Sequence, residues 1–169
     1  MPAVPGLPGL DSCRAAAAYG PTVASDLLRL KNGDGRALVT PLADVLADLV
    51  PGLPGLIVTW APTGTGRRQR RGFDHAELLA RAVARRRRLP FAALLRRLPG
   101  PAQAGRSAAV RRVSPRFAPR RPCDRPVLVI DDVATTGATL AAAAAALRSA
   151  GVPEVHGLVV ARAPSPLPR

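Results

Sequence analysis

The sequence predicts an α/β fold: an open, mostly parallel twisted sheet with helices on both faces. Three observations point there. Residues 127–130 (VLVI) are a short apolar run, rich in β-branched side chains, of the kind a parallel sheet buries on both faces. A helix-forming tract at 140–150 and a second apolar run at 155–161 complete the order strand, helix, strand. That order makes a parallel βαβ unit with a right-handed crossover. A third apolar run, 56–60, leads through a loop of small residues into a helical stripe from Asp74. A length of 169 residues fits one domain with its own core.

Taken in order, residues 1–21 are rich in Pro, Gly and Ala and read as a disordered or loosely packed N-terminal segment. Residues 22–163 form the α/β domain, and 164–169 are a Pro-rich tail. Val23, Leu27, Leu28 and Leu30 have helical spacing within 22–31, and Asn32 to Gly35 break that helix. Thr40 is placed as the next N-cap with Pro41 at the first helical position. Leu42, Val45, Leu46, Leu49 and Val50 supply an apolar stripe.

Residues 56–60 read as a buried strand, with Trp60 in the core, and 62–66 as a loop. Asp74 and Glu77 have the spacing of a capping box, and Leu78, Leu79, Ala82 and Val83 form the inner face of the helix they open. Arg85 to Arg88 suit the negative end of its dipole. Residues 91–98 are ambiguous. Residues 100–122 hold many Arg, Pro, Ser and Ala and little periodicity, so they read as a long loop with at most a weak hairpin. Gly151 stands where a C′ glycine would close the helix at 140–150.

Lys and Arg total 25 against 11 Asp and Glu, a net charge of +14, and Lys31 is the only lysine. Arginine binds phosphate in a bidentate way, so the balance suits polyanionic ligands. The same charge attracts nucleic acid without specificity, although 3% aromatic residues leave little for stacking on single strands. Cys13 and Cys123 lie far apart, and His75 and His156 lack zinc-ligand spacing. Neither a disulfide framework nor a zinc site is expected, and the default setting is reducing and cytoplasmic. Residues 1–13 have no basic n-region and no unbroken apolar run, which reads against a secretory signal. No apolar stretch approaches a membrane span.

The chemistry concentrates in 127–140, VLVIDDVATTGATL. Asp131 and Asp132 are expected at the carboxyl end of a strand, where open α/β sheets place their ligands. Ala134, Thr135, Thr136, Gly137, Ala138 and Thr139 are small or hydroxylated, so backbone N–H groups there can converge on an anion at a helix start. Helix capping explains one acid; it does not explain two acids and three threonines. An acid pair beside an anion cradle suits a sugar phosphate.

This run resembles the phosphoribosyl-pyrophosphate (PRPP) signature of type I phosphoribosyltransferases: apolar residues, two acids, then a T-T-G-x-T loop. The wider order of features, from about Tyr19 to Ala163, resembles the ComF family of competence-associated phosphoribosyltransferase-like proteins. Tyr19-Gly20, Leu28-x-x-Lys31 and Gly33-x-Gly35-Arg36 are similar to one family segment. Residues 67–80, RRQRRGFDHAELLA, are similar to a second, with Asp74-His75 where the family has Asn-Gln. Gln103, Arg111-Arg112-Val113-Ser114 and Phe117 are similar to a third. Family members usually begin with a four-cysteine zinc module; here Cys13 stands alone near its place.

The resemblance implies a type I phosphoribosyltransferase-like fold that binds PRPP with Mg²⁺ and transfers the phosphoribosyl group to an unknown acceptor, releasing pyrophosphate. Asp131 and Asp132 would bind the ribose hydroxyls directly or beside Mg²⁺, and residues 134–139 the 5′-phosphate. Thr63, Gly64, Thr65, Gly66 and Arg67 would form the pyrophosphate loop, with Arg70 and Arg71 near the leaving group. Gln103, Arg106, Arg111 and Arg112 would belong to a lid over the ligand. No residue is assigned as catalytic, and His75 reads as a first-turn residue rather than a base. The alternatives are a non-catalytic accessory of the DNA-uptake machinery or a PRPP-sensing regulator. Partners would then include nucleic acid, that machinery, or a second copy of the chain in a homodimer.

Overall fold

The computed structural model describes residues 6–31, 36–64, 73–99 and 115–163. Four strands form one sheet: β1 (Ser12–Ala18), β2 (Ile57–Trp60), β5 (Val127–Ala134) and β6 (Val155–Arg162). Their order is β1-β6-β5-β2, and every pairing is parallel. Two three-residue strands, β3 (Leu95–Arg97) and β4 (Phe117–Pro119), pair antiparallel outside it. The helices are α1 (Pro21–Lys31), α2 (Arg36–Ala47), α3 (His75–Arg87) and α4 (Ala138–Ser149).

Alternation along β5 makes the two layers. Successive side chains leave a strand on opposite faces. Leu128 and Ile130 join the core under α2 and α3, with Leu46, Leu79, Ala80 and Val83. Val127 and Val129 join the core under α4, with Leu140, Ala143, Ala144 and Leu147. Both faces of β5 are covered along its first four residues, which is why residues 127–130 are an unbroken apolar run. The helical faces that do the covering are narrow and Ala-rich, so α4 lies close to the sheet. In β6, Gly157 permits that approach: a Cβ there would lie 2.9 Å from Cys13 Sγ and 3.3 Å from Leu140 Cδ1.

Several boundaries differ from expectation. The N-terminal segment contains β1, which the Ala-rich sequence does not signal. Pairing with β6 makes this strand, so tertiary context overrides a weak local preference. Asp11 fixes its start, accepting from Val155 N at 2.7 Å and from Arg148 Nη2 at 2.5 Å. Thr40 and Pro41 lie inside α2 rather than opening it. Pro41 forfeits one hydrogen bond in the middle of the helix, and burial of Ala43, Leu46 and Ala47 carries the helix through it. Val45, expected in the apolar stripe, is 51% exposed. Phe117–Pro119, expected within a long loop, is strand β4.

At the far end of the βαβ unit the expectation holds. Gly151 has φ +91°, and its N–H donates to Arg148 O at 3.0 Å, closing α4 in the left-handed conformation that favours glycine.

Candidate phosphate and ribose site

β5 runs past its apolar residues through Asp131 and Asp132 to Ala134, four positions beyond the apolar run 127–130. The acids therefore lie within the strand rather than after it. Asp131 pairs with Val159 and Ala134 with Arg162 in the parallel ladder with β6. Each acid is 9% exposed. Asp131 Oδ1 accepts from Asp132 N, and Asp132 Oδ1 accepts from Val133 N, both at 2.9 Å. These bonds to the following amide hold each carboxylate close to the main chain. Asp132 Oδ2 also lies 3.2 Å from His75 Nε2.

Helix α4 starts at Ala138, two residues before the predicted tract. Ala138 and Thr139 are thus in its first turn, and Thr135, Thr136 and Gly137 make the turn between strand and helix. Gly137 is the N-cap with φ +76°, and no side chain caps through it. Thr136 Oγ1 accepts from Ala138 N at 3.3 Å. The first-turn N–H groups of a helix have no carbonyl partner within it, and the dipole favours an anion at this end. Asp131, Val133, Ala134, Thr135, Thr136, Gly137, Ala138 and Thr139 all line one small cleft. The acid and the anion loop that the sequence put together in order are together in space.

The loop after β2 is described through Gly64; Thr65, Gly66, Arg67, Arg70 and Arg71 lie outside the described residues. Thr63 turns both of its donors to Asp74. Its N–H donates to Asp74 Oδ2 at 2.8 Å and its hydroxyl to Asp74 Oδ1 at 3.1 Å. Its donors serve a carboxylate of the same chain, so Thr63 shapes the loop. The lid candidates Gln103, Arg106, Arg111 and Arg112 also lie outside the described residues. Trp60 is core, 6% exposed and stacked on Phe91 with ring centroids 5.3 Å apart.

Sequence reasoning missed three contributors. Arg97, on β3, reaches the loop after β2: its Nη1 donates to Pro62 O at 3.4 Å, and its Nε lies 3.7 Å from a Cβ built on Gly64. No motif marks it, because it is one arginine among many. Asp74 is more than a helix cap, since it also takes the donors of Thr63. The segment from residue 6 to 11 forms a wall beside the anion loop, with Leu7 against Gly137. Its Pro-Gly-Leu pattern carries no periodic signal.

The donor set bears on a metal. Mg²⁺ prefers oxygen ligands and is usually held by one or two carboxylates together with substrate phosphates. Among the described residues no group of three or more His, Cys, Asp or Glu could hold a metal ion. The acid pair has the oxygen donors that Mg²⁺ arriving with a phosphorylated ligand would need.

A wholly parallel sheet with an acid pair on an interior strand and an anion loop at the following helix start defines an α/β protein built for a phosphorylated ligand. Residues 70–169 match the family model described as the phosphoribosyl transferase domain, and the chain belongs to that family. The fold is of the type I phosphoribosyltransferase kind. Among solved structures, the chain is similar to a purine phosphoribosyltransferase from Pyrococcus horikoshii. The two share 15% identity and a TM-score of 0.33, over 91% of this chain and 95% of that one. No curated protein matches the chain by sequence. No helix among the described residues is long and apolar enough to cross a membrane.

Proposed function

We propose that the chain binds PRPP with Mg²⁺ and transfers the phosphoribosyl group to an acceptor, releasing pyrophosphate. The observation that carries this reading is the shared cleft of Asp131 and residues 135–139. Family membership supports the reaction class. The likeness of residues 19–36 and 67–80 to ComF proteins supports a place near that group.

In this reading the turn at 135–137 and the first N–H groups of α4 hold the 5′-phosphate, and the hydroxyls of Thr135, Thr136 and Thr139 add donors. Asp131 and Asp132 accept from the ribose hydroxyls and hold Mg²⁺ beside them. Mg²⁺, when bound, supplies positive charge to the pyrophosphate oxygens. During transfer the bond from the anomeric carbon to the pyrophosphate oxygen breaks and the leaving group keeps the electron pair. A bond forms to the acceptor nucleophile, whose proton is lost. Charge grows on the leaving group, so fixed cations near it lower the barrier most. Arg97 brings its guanidinium to the loop of Pro62 and Gly64, on the leaving-group side in this reading.

Calorimetry with PRPP and Mg²⁺, followed by pyrophosphate release with a panel of purine, pyrimidine and amine acceptors, tests this. Saturable binding together with release that depends on one acceptor is the expected result. Absence of binding at millimolar PRPP overturns the reading.

A further inference from the structure

Helix α3 begins with two side chains that grip different strands. Asp74, the N-cap, is 3% exposed and accepts four hydrogen bonds. Its Oδ1 takes Ala76 N at 3.2 Å and Thr63 Oγ1 at 3.1 Å. Its Oδ2 takes Thr63 N at 2.8 Å and Trp60 Nε1 at 3.3 Å. A cap needs only the bond to Ala76. The other three tie the last residue of β2 and the loop after it to the helix start.

His75, the next residue, is 5% exposed and reaches across to β5. Its Nε2 lies 3.2 Å from Asp132 Oδ2. A carboxylate acceptor requires Nε2 to be the donor of this bond. The Nδ1 of the same ring is buried without a hydrogen-bond partner among the described residues. The ring therefore has one polar commitment, and it is to the acid pair.

β2 and β5 are neighbours in the sheet, with Trp60 opposite Ile130 and Ala61 N donating to Ile130 O at 3.1 Å. Their carboxyl ends lie side by side, and the start of α3 spans them. Here two consecutive residues of one helix fix the loop after β2 and an acid of β5.

We propose that Asp74 and His75 are paired positioning residues that hold the pyrophosphate-side loop and Asp132 in mutual register before ligand arrives. The proposal rests on the PRPP reading above. In it, one rigid helix start sets the separation between the leaving-group half of the site and the ribose half. Neither residue touches substrate; Asp74 acts through Thr63 and His75 acts through Asp132.

The test uses the full chain, with two readouts. The first is amide hydrogen exchange in the ligand-free protein at Thr63 and Val133, whose N–H groups donate to Asp74 and Asp132. The second is PRPP–Mg²⁺ affinity by calorimetry. His75→Met fills the space without a donor, whereas His75→Gln keeps an N–H near the position of Nε2. His75→Met is expected to speed exchange at Val133, spare the interior of α3, and weaken binding roughly tenfold to a hundredfold, the usual effect of losing a partner that orients a ligating group. His75→Gln restores both readouts. Asp74→Asn, which keeps one oxygen for four donors, is expected to speed exchange at Thr63 and weaken binding similarly.

If His75→Met does not fold, His75→Asn, whose shorter amide does not reach Asp132, replaces it. Parental exchange at Val133 and Thr63 in these variants overturns the proposal. So does parental affinity in variants that exchange faster. If the parent protein binds no PRPP, the functional reading falls and the exchange arm alone decides whether the lock exists.

Discussion

Leu7 packs directly on Gly137: a Cβ built on that glycine would run into both δ-carbons of the leucine. Gly137 is also the N-cap of α4 and has φ +76°. Two constraints, one of backbone and one of packing, thus fall on the residue that turns the chain from the anion loop into helix α4. Gly9, which sits against Ala144 of α4, and Asp11, which bonds Arg148, anchor the same segment.

Gly137→Ala is therefore expected to destabilise the fold. The left-handed conformation alone costs an L-residue about 1–2 kcal/mol, and the contact with Leu7 adds to it. Leu7→Ala in the same background should recover the steric part and leave the backbone part. Urea unfolding of the two variants measures both, and a Gly137→Ala protein as stable as the parent would refute the expectation.

Asp131→Asn combined with Asp132→Asn should abolish measurable PRPP–Mg²⁺ binding while the melting temperature holds. The amide of asparagine keeps the volume but removes the charge that a divalent cation requires. Calorimetry beside a thermal melt separates the two effects. Undiminished affinity would remove the acid pair from the site.

Asp74→Ala should cost about 2–4 kcal/mol of stability. Losing an N-cap costs about 1 kcal/mol, and each buried donor left without a partner costs about 1–3 kcal/mol. Trp60 Nε1 is such a donor, whereas the N–H of half-buried Thr63 can turn to water. A loss well under 1 kcal/mol in denaturant unfolding would mean that water replaces the carboxylate.

Burial pushes the Cys13 thiol from its ordinary 9.0 up to about 11, with the positive charge of Arg162 pulling weakly the other way. Between those two values the unfolded chain loses this proton and the folded chain keeps it. The contribution of Cys13 to stability is thus full below pH 9 and is lost as pH rises towards 11. Thiolate is the reactive form, so Cys13 should resist alkylation in the folded protein at pH 8, while the more accessible Cys123 reacts first. Mass mapping of labelled peptides checks this; equal labelling of both cysteines would contradict it.

The part of the fold legible in the sequence is the part set by local pattern. The run 127–130 forms a strand buried on both faces, and Gly151 closes the helix after it. Asp74 caps α3 as its spacing with Glu77 predicts. Asp131 and the Thr/Gly loop share one cleft because a strand, a tight turn and a helix start are contiguous in the chain. These features depend on neighbours within a few residues, and periodicity and turn chemistry carry that information.

Tertiary structure alone decided the rest. β1 exists because β6 offers it an edge to pair with, not because Ser-Cys-Arg-Ala-Ala-Ala-Ala favours a strand. Pro41 lies within a helix because buried Ala43, Leu46 and Ala47 outweigh one missing hydrogen bond. The carboxylate of Asp74 turning to Thr63, the ring of His75 reaching Asp132, Arg97 over Pro62 and Leu7 on Gly137 join segments far apart in the chain. No local pattern encodes such meetings, because they follow from how the sheet orders its strands and how closely the layers pack.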